Sequence, residues 1–327
     1  MKHHVTLGLL AALIFIAGCG TSEKQDVRRV GIVNGIPILS ILEASFKARM
    51  TEHGYVEGQT IDYIARGAFD GREQEIQVVS DLMREDLDLL VSMPTEVSLI
   101  AREKTREMGI PLVFSNAFVE GTGLIESIRA PGKGITGVRF PGPDLVLLRL
   151  ETLLKIRPDV RRVIVPYLDG YPIVAAQLDA LRPAASRAGV ALIEMPVPDG
   201  PAVQPALDAL LASASPDVDA ILLITDPISV DPDAIAALEA FATTCRIPFA
   251  GIFPDATPHT LFSLMIDLDQ MGRLTADLAH RILQGEPAGS LPVLSADAVL
   301  GVNLQAAALL GITVPESVLS HADTIIH

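Results

Sequence analysis

The chain has 327 residues, a formal net charge of −15 and an apolar share of 49%. That is material for one large or two medium cores, and the acidic balance argues against a nucleic-acid surface, which needs clustered Lys and Arg. With no Trp and only 4% aromatic residues the chain is also poor material for a site that stacks on sugars.

Met1-Lys2-His3-His4 is a short basic start. The apolar run over 5–17 is too short to span a bilayer comfortably, and it ends in Ile16-Ala17-Gly18-Cys19. Small residues before a processing site predict a signal peptide over 1–18. The arrangement resembles the bacterial lipobox, which implies a lipidated Cys19 holding the protein to the bilayer through a tether over 19–29. Cys245 is then alone, no internal disulfide is possible, and its Ala-rich helical surroundings read as those of a buried structural thiol.

Residues 30–33 form a β-branched run that predicts a buried strand. Residues 38–53 carry apolar positions at helical spacing and stop at Gly54. Further strands are expected over 60–65, 87–91 and 111–114, with helices over 72–84 and 96–107 between them. The break Ala130-Pro131-Gly132-Lys133-Gly134 leads to an extended segment over 135–140, expected to be the first crossing between two lobes. A Leu-rich helix over 144–156 follows. The alternation then repeats, with strands over 162–165, 190–194, 220–224 and 248–252 and helices over 173–187, 202–212 and 233–244. One more strand (261–266), one more helix (267–283) and an extended segment (298–303) precede the tail.

The order of landmarks is duplicated. Val27-Arg28-Arg29-Val30 is echoed by Val160-Arg161-Arg162-Val163, Asp86-Leu87-Asp88 by Asp217-Val218-Asp219, and Ile110-Pro111 by Ile247-Pro248. Strands alternating with helices of this length mean parallel sheets covered on both faces. The expected fold is therefore α/β: two Rossmann-like lobes with parallel sheets, joined by a multi-strand hinge. The expected division is 30–137 plus 268–297 for the first lobe and 138–267 plus 298–327 for the second.

No chemistry is nominated by motif. Residues 132–137 match G-x-G-x-x-G, but they follow a loop and precede an extended segment, whereas the dinucleotide fingerprint needs a strand before it and a helix after it. Asp226, Asp231 and Asp233 lack the spacing of a calcium loop, and Asp231 or Asp233 more simply caps the next helix. There is no G-x-S-x-G, no H-E-x-x-H and no Cys pair in the mature chain. Neither an enzyme nor a metal or cofactor site is expected.

In an open parallel sheet, ligands sit beyond the carboxyl ends of the strands. The first lobe offers Asn34, Ser92-Met93-Pro94-Thr95 and Ser115-Asn116 there; the second offers Tyr167, Asp169, Thr225-Asp226 and Phe253. The first set is neutral and lies next to helix N-termini, which suits an anion. The second holds the carboxylates of Asp169 and Asp226, which suit a cation. A zwitterion such as an amino acid would meet both, and Asp226→Ala is expected to weaken binding with little effect on melting without ligand. Hydroxyl and amide residues also serve as ordinary caps and turns at such places.

The chain resembles the ABC-transporter substrate-binding proteins related to tryptophan and tyrosine uptake, a branch with the type 1 periplasmic binding protein fold. The similarity covers nearly all of the mature chain. It is carried by Gly54-Tyr55-Val56-Glu57-Gly58-Gln59, Ile110-Pro111-Leu112-Val113-Phe114, Gly134-Ile135-Thr136-Gly137-Val138 and Gly301-Val302-Asn303-Leu304, and by the tail Leu310-Gly311-Ile312-Thr313-Val314-Pro315-Glu316-Ser317. It implies a two-lobed extracytoplasmic protein that closes on a small molecule and delivers it to a permease and its ATPase. The segments lining the family's site correspond to Ser92 to Thr95 and Thr225-Asp226. Ser115-Asn116-Ala117-Phe118 departs from the family's usual continuation, and so does Pro166-Tyr167, so the ligand can differ from an aromatic amino acid. The alternative is the same lobes used as a ligand sensor for a membrane signalling partner.

Overall fold

The computed structural model describes residues 27–67, 71–212, 218–253 and 257–327; the leader, Cys19, the tether up to residue 26 and Asp217 lie outside the described residues. β1 (Arg28–Asn34) leads to α1 (Ser40–Glu52), β2 (Ile61–Gly67) to α2 (Arg72–Leu82), and β3 (Leu89–Met93) to α3 (Thr95–Met108). β4 (Leu112–Ala117) and β5 (Ile135–Arg139) complete this series. After α4 (Gly142–Ile156) come β6 (Arg162–Leu168), α5 (Val174–Arg187), β7 (Ala191–Val197), α6 (Val203–Leu211), β8 (Ala220–Leu222), α7 (Pro232–Cys245), β9 (Phe249–Gly251) and β10 (Thr260–Ile266). The chain ends with α8 (Leu268–Leu283), β11 (Leu294–Ser295), β12 (Ala298–Asn303), α9 (Leu304–Leu310), α10 (Glu316–Leu319) and β13 (Thr324–Ile326). Among the described residues no helix is long and apolar enough to cross a membrane.

The strands form two sheets, ordered β11-β5-β4-β3-β1-β2 and β13-β12-β10-β9-β8-β6-β7. Within each series the order is the same: second, first, third, fourth, fifth. The first sheet is wholly parallel, and the second has one antiparallel pair, β10 with β12. This is the expected pair of Rossmann-like lobes. Apolar clusters cover both faces of each sheet, around Val30, Ile32 and Phe46 on one face of the first and Leu90, Leu112 and Phe114 on the other. Val163, Val165 and Phe262 and then Ile164, Ile221 and Phe249 do the same for the second.

The duplicated sequence landmarks are duplicated contacts. Asp88 Oδ2 accepts the Arg29 N–H at 2.8 Å at the start of β1. Asp219 Oδ2 accepts the N–H groups of Arg161 and Arg162 at 2.7 and 2.8 Å at the start of β6. In each lobe a carboxylate from the third strand's approach satisfies amides that have no ladder partner yet.

Residues 135–139 are not a crossing but a strand inside the first sheet, because their burial on both faces is met by β4 on one side and β11 on the other. The G-x-G-x-x-G segment is explained by the same strand. A Cβ at Gly137 would sit 2.2 Å from the Phe114 carbonyl oxygen, so β5 approaches β4 only with glycine there.

The chain passes between the sheets after β5, after β10 and between β11 and β12. These crossings are tied together. Arg139 bonds Glu120, Asp144 Oδ2 (2.6 Å) and Ser295 Oγ (2.8 Å). Gln270 Nε2 donates to Asp297 Oδ2 at 2.8 Å, and the Asp297 N–H returns to Gln270 Oε1 at 2.5 Å. α8, which follows the second crossing, packs on α1, with Gly272 close against the Leu42 backbone.

Candidate functional site: a cavity between the lobes

A cavity of about 280 Å³ lies where the carboxyl ends of both sheets meet, on the scale of a small-molecule site. The segments after β1, β3 and β4 line it from one lobe, and those after β6, β8 and β9 from the other. In a sheet ordered second-first-third, the crevice between first and third strands is where ligands bind; both lobes turn that crevice to the same hollow.

The predicted residues divide. Pro94, Thr95, Asn116, Thr225, Asp226 and Phe253 line the cavity. Asn34, Ser92, Met93, Ser115, Tyr167 and Asp169 do not. Asn34 turns back to accept the Ile36 N–H at 3.0 Å, and Ser92 donates to Ser98 under α3. Met93 is core, and Ser115 accepts from Thr275 of α8. Tyr167 lies in the second lobe's core with its hydroxyl on Glu194, while Asp169 is exposed. Asn34, Ser92, Met93, Ser115 and Tyr167 lie within their strands, whereas all of the lining residues in this set except Asn116 lie just past a strand end.

Asp226 is 6% exposed. Its Oδ2 accepts the Leu168 N–H at 2.6 Å and its Oδ1 the Ser229 N–H at 3.2 Å, capping the turn over Pro227–Val230. Burial pushes its pKa up to about 6, against the pull of those amides. The carboxylate therefore holds the fold as well as lining the cavity, and against the small effect on melting expected of Asp226→Ala stands the loss of the acceptor for two amides.

Thr225 is fixed from behind. The buried Gln177 of α5 accepts its N–H at 2.9 Å and donates to its carbonyl at 2.8 Å. Arg149 of α4 is 0% exposed. It donates to the Leu264 carbonyl (2.7 Å), the Leu223 carbonyl (3.2 Å) and the Thr225 hydroxyl (3.4 Å). β9, which lies between those two chains, stops at Gly251, and the guanidinium bonds a carbonyl of the chain on each side of it. Burial lowers its pKa to about 9, still well above neutrality.

On the first lobe, Asn116 takes a left-handed backbone conformation (φ 54°) at an irregularity between β4 and β5. Its side-chain oxygen is buried without a hydrogen-bond partner among the described residues. Asn116 lines the cavity, and an unmet buried acceptor is uncommon in a folded chain. Thr95 accepts the Phe118 N–H at 3.0 Å. Across the mouth, the Tyr171 hydroxyl donates to Glu96 Oε1 at 2.9 Å, joining the lobes; burial, then Glu96, raises the Tyr171 pKa above its ordinary value.

Sequence reasoning missed Tyr171, Phe118 and Phe140, which line the cavity with Phe253. The Phe118 and Phe140 rings stack with centroids 5.1 Å apart. The chain has few aromatic residues, yet several of them gather here; their position within four residues of a strand end was the available signal.

The family model described as ABC transporter substrate binding protein matches residues 32–326. A tyrosine-binding protein of Clostridioides difficile is 22% identical over 280 residues, covering 84% of this chain and 78% of that protein. Among solved structures, a conserved domain protein from Vibrio cholerae is 26% identical, with a TM-score of 0.74 and coverage of 91% and 99%. An ABC domain from Streptococcus pneumoniae in complex with L-Trp is 20% identical, with a TM-score of 0.77 and coverage of 92% and 100%.

Proposed function

The chain belongs to the ABC transporter substrate-binding protein family, and from that premise we propose that it captures an amino acid with a large apolar side chain by closure of its lobes. The observation that carries this is the composition of the cavity wall. A buried carboxylate, an unmet amide oxygen and two fixed threonine hydroxyls lie beside a cluster of phenylalanines. Asp226 and the Asn116 oxygen suit an ammonium group, and Phe118, Phe140 and Phe253 suit an apolar side chain. The relatives named for tyrosine and crystallised with L-Trp support the class of ligand.

The test is a thermal-shift screen of the common amino acids against protein lacking residues 1–19, followed by calorimetry. A ligand at a hundred times its Kd stabilises the folded form by about 2.7 kcal/mol. An apolar amino acid is expected to raise the melting temperature most; a screen in which none does, while sugars or peptides do, overturns the assignment. The protein then hands its ligand to a permease and ATPase, held to the membrane by acylated Cys19. Membrane fractionation of Cys19→Ala checks the anchor, which is wrong if that variant stays in the membrane fraction.

A further inference from the structure

Arg149 is a fully buried cation, and none of the described carboxylates pairs with it. All its bonds are to neutral oxygens: the carbonyls of Leu264 and Leu223 and the Thr225 hydroxyl. An isolated buried charge is costly unless something of opposite sign comes near. If satisfying two backbone carbonyls were its whole task, a neutral amide would serve at lower cost. Its third partner is the difference, because Thr225 lines the cavity.

The Thr225 hydroxyl accepts from Arg149 at 3.4 Å through both terminal nitrogens. Its own proton is left to donate to something else, and the Gln177 clamp fixes the backbone that aims it. A hydroxyl that accepts from a cation is a stronger donor, and the guanidinium's field reaches the same point through a low-dielectric wall. Asp226 is the next residue. An α-amino acid carries its ammonium and its carboxylate on one carbon, so neighbouring residues of opposite preference can hold both. The first lobe is a weaker place for the anion. Its Ser92 hydroxyl is turned inward to Ser98, and Glu96 stands in the first turn of α3, where it opposes a carboxylate.

Building on the amino-acid assignment, we infer that Arg149 is a positioning residue for ligand specificity. Through the Thr225 hydroxyl it makes the second lobe the seat of the ligand's carboxylate, beside the ammonium on Asp226. This moves the anion from the first lobe, where residue types alone had put it, to the second.

The experiment compares two probes on full-length mature protein: the amino acid that most raises the wild-type melting temperature, and the amine obtained by decarboxylating it. Calorimetry is run on wild type, Arg149→Gln, Thr225→Val and Thr95→Val. The expected result is at least a tenfold loss of amino-acid affinity in Arg149→Gln and Thr225→Val, with amine affinity changed less than twofold. A structural role alone would not move that ratio. Equal loss of both probes, or no loss of either, makes Arg149 a peg for backbone carbonyls and overturns the inference while the amino-acid assignment stands. Selective loss in Thr95→Val but not in Thr225→Val also overturns it, placing the carboxylate on the first lobe. If Arg149→Gln does not fold, Thr225→Val decides alone. If no amino acid stabilises the wild type, the amino-acid assignment fails and this inference with it.

Discussion

At the scale of single residues, Asp226 and Asn116 join a role in the fold to a place on the cavity wall. The carboxyl of Asp226 titrates near 6 because burial penalises its charge. The unfolded chain would hold that proton only below about 4, so protonation of this group adds stability as pH falls from about 6 toward 4, and its ionisation at neutrality subtracts from what its two amide bonds contribute. Binding of an ammonium group runs the other way, since it needs the ionised form. Calorimetry at pH 7.5 and pH 5 should show affinity falling about tenfold, one unit below the pKa, with the unliganded protein gaining stability from this group over the same interval. Asn116 makes a different exchange. Glycine adopts its φ of 54° without strain, so Asn116→Gly should leave unfolding free energy within about 1 kcal/mol. The variant loses the buried acceptor, and affinity should drop about fivefold, the equivalent of one ordinary hydrogen bond; urea melts and calorimetry on one preparation check both.

At the scale of elements, the two lobes repeat a contact as well as a topology. Asp88 and Asp219 do the same work at the start of β1 and β6. Each change to Ala should cost about 1–2 kcal/mol of stability, and the double variant about the sum, since the sites lie in separate sheets. A double-mutant cycle in urea with strong coupling would contradict that. Their motif was legible because a short Arg-Arg-apolar run followed by a spaced Asp is a local pattern. The strand-helix alternation was legible for the same reason: burial on both faces of a parallel strand leaves an unbroken apolar run. β5 was misread as a crossing because its mate β11 comes from far along the chain, where two residues carry no periodic signal. Site residues were half legible. Strand ends can be placed from sequence, but the cavity is lined mostly by the turns just beyond them, whose path only the fold reveals, so Thr225 was found while Tyr171, past the end of β6, was passed over for Tyr167 inside it.

At the scale of the whole molecule, the contacts across the mouth bear on the proposed closure. The Tyr171–Glu96 bond crosses the mouth, and Ile173 and Ile266 of the second series join the apolar cluster of the first lobe. Tyr171→Phe keeps the ring and removes the bond. Affinity should weaken about two- to tenfold, mostly through faster ligand release, and small-angle scattering should show a larger radius of gyration without ligand; an unchanged radius and release rate would mean the bond does not hold the lobes together.

The return of α8 to the first lobe has a consequence for biogenesis. Its buried face, with Met271, Leu278 and Ile282, covers α1 and the first sheet, yet it is synthesised only after every strand from β6 to β10. While the ribosome makes that stretch, Phe46, Met50 and their neighbours have no cover. A polypeptide stopped short of residue 268 is left with that apolar surface bare, to be shielded by a chaperone or lost to aggregation.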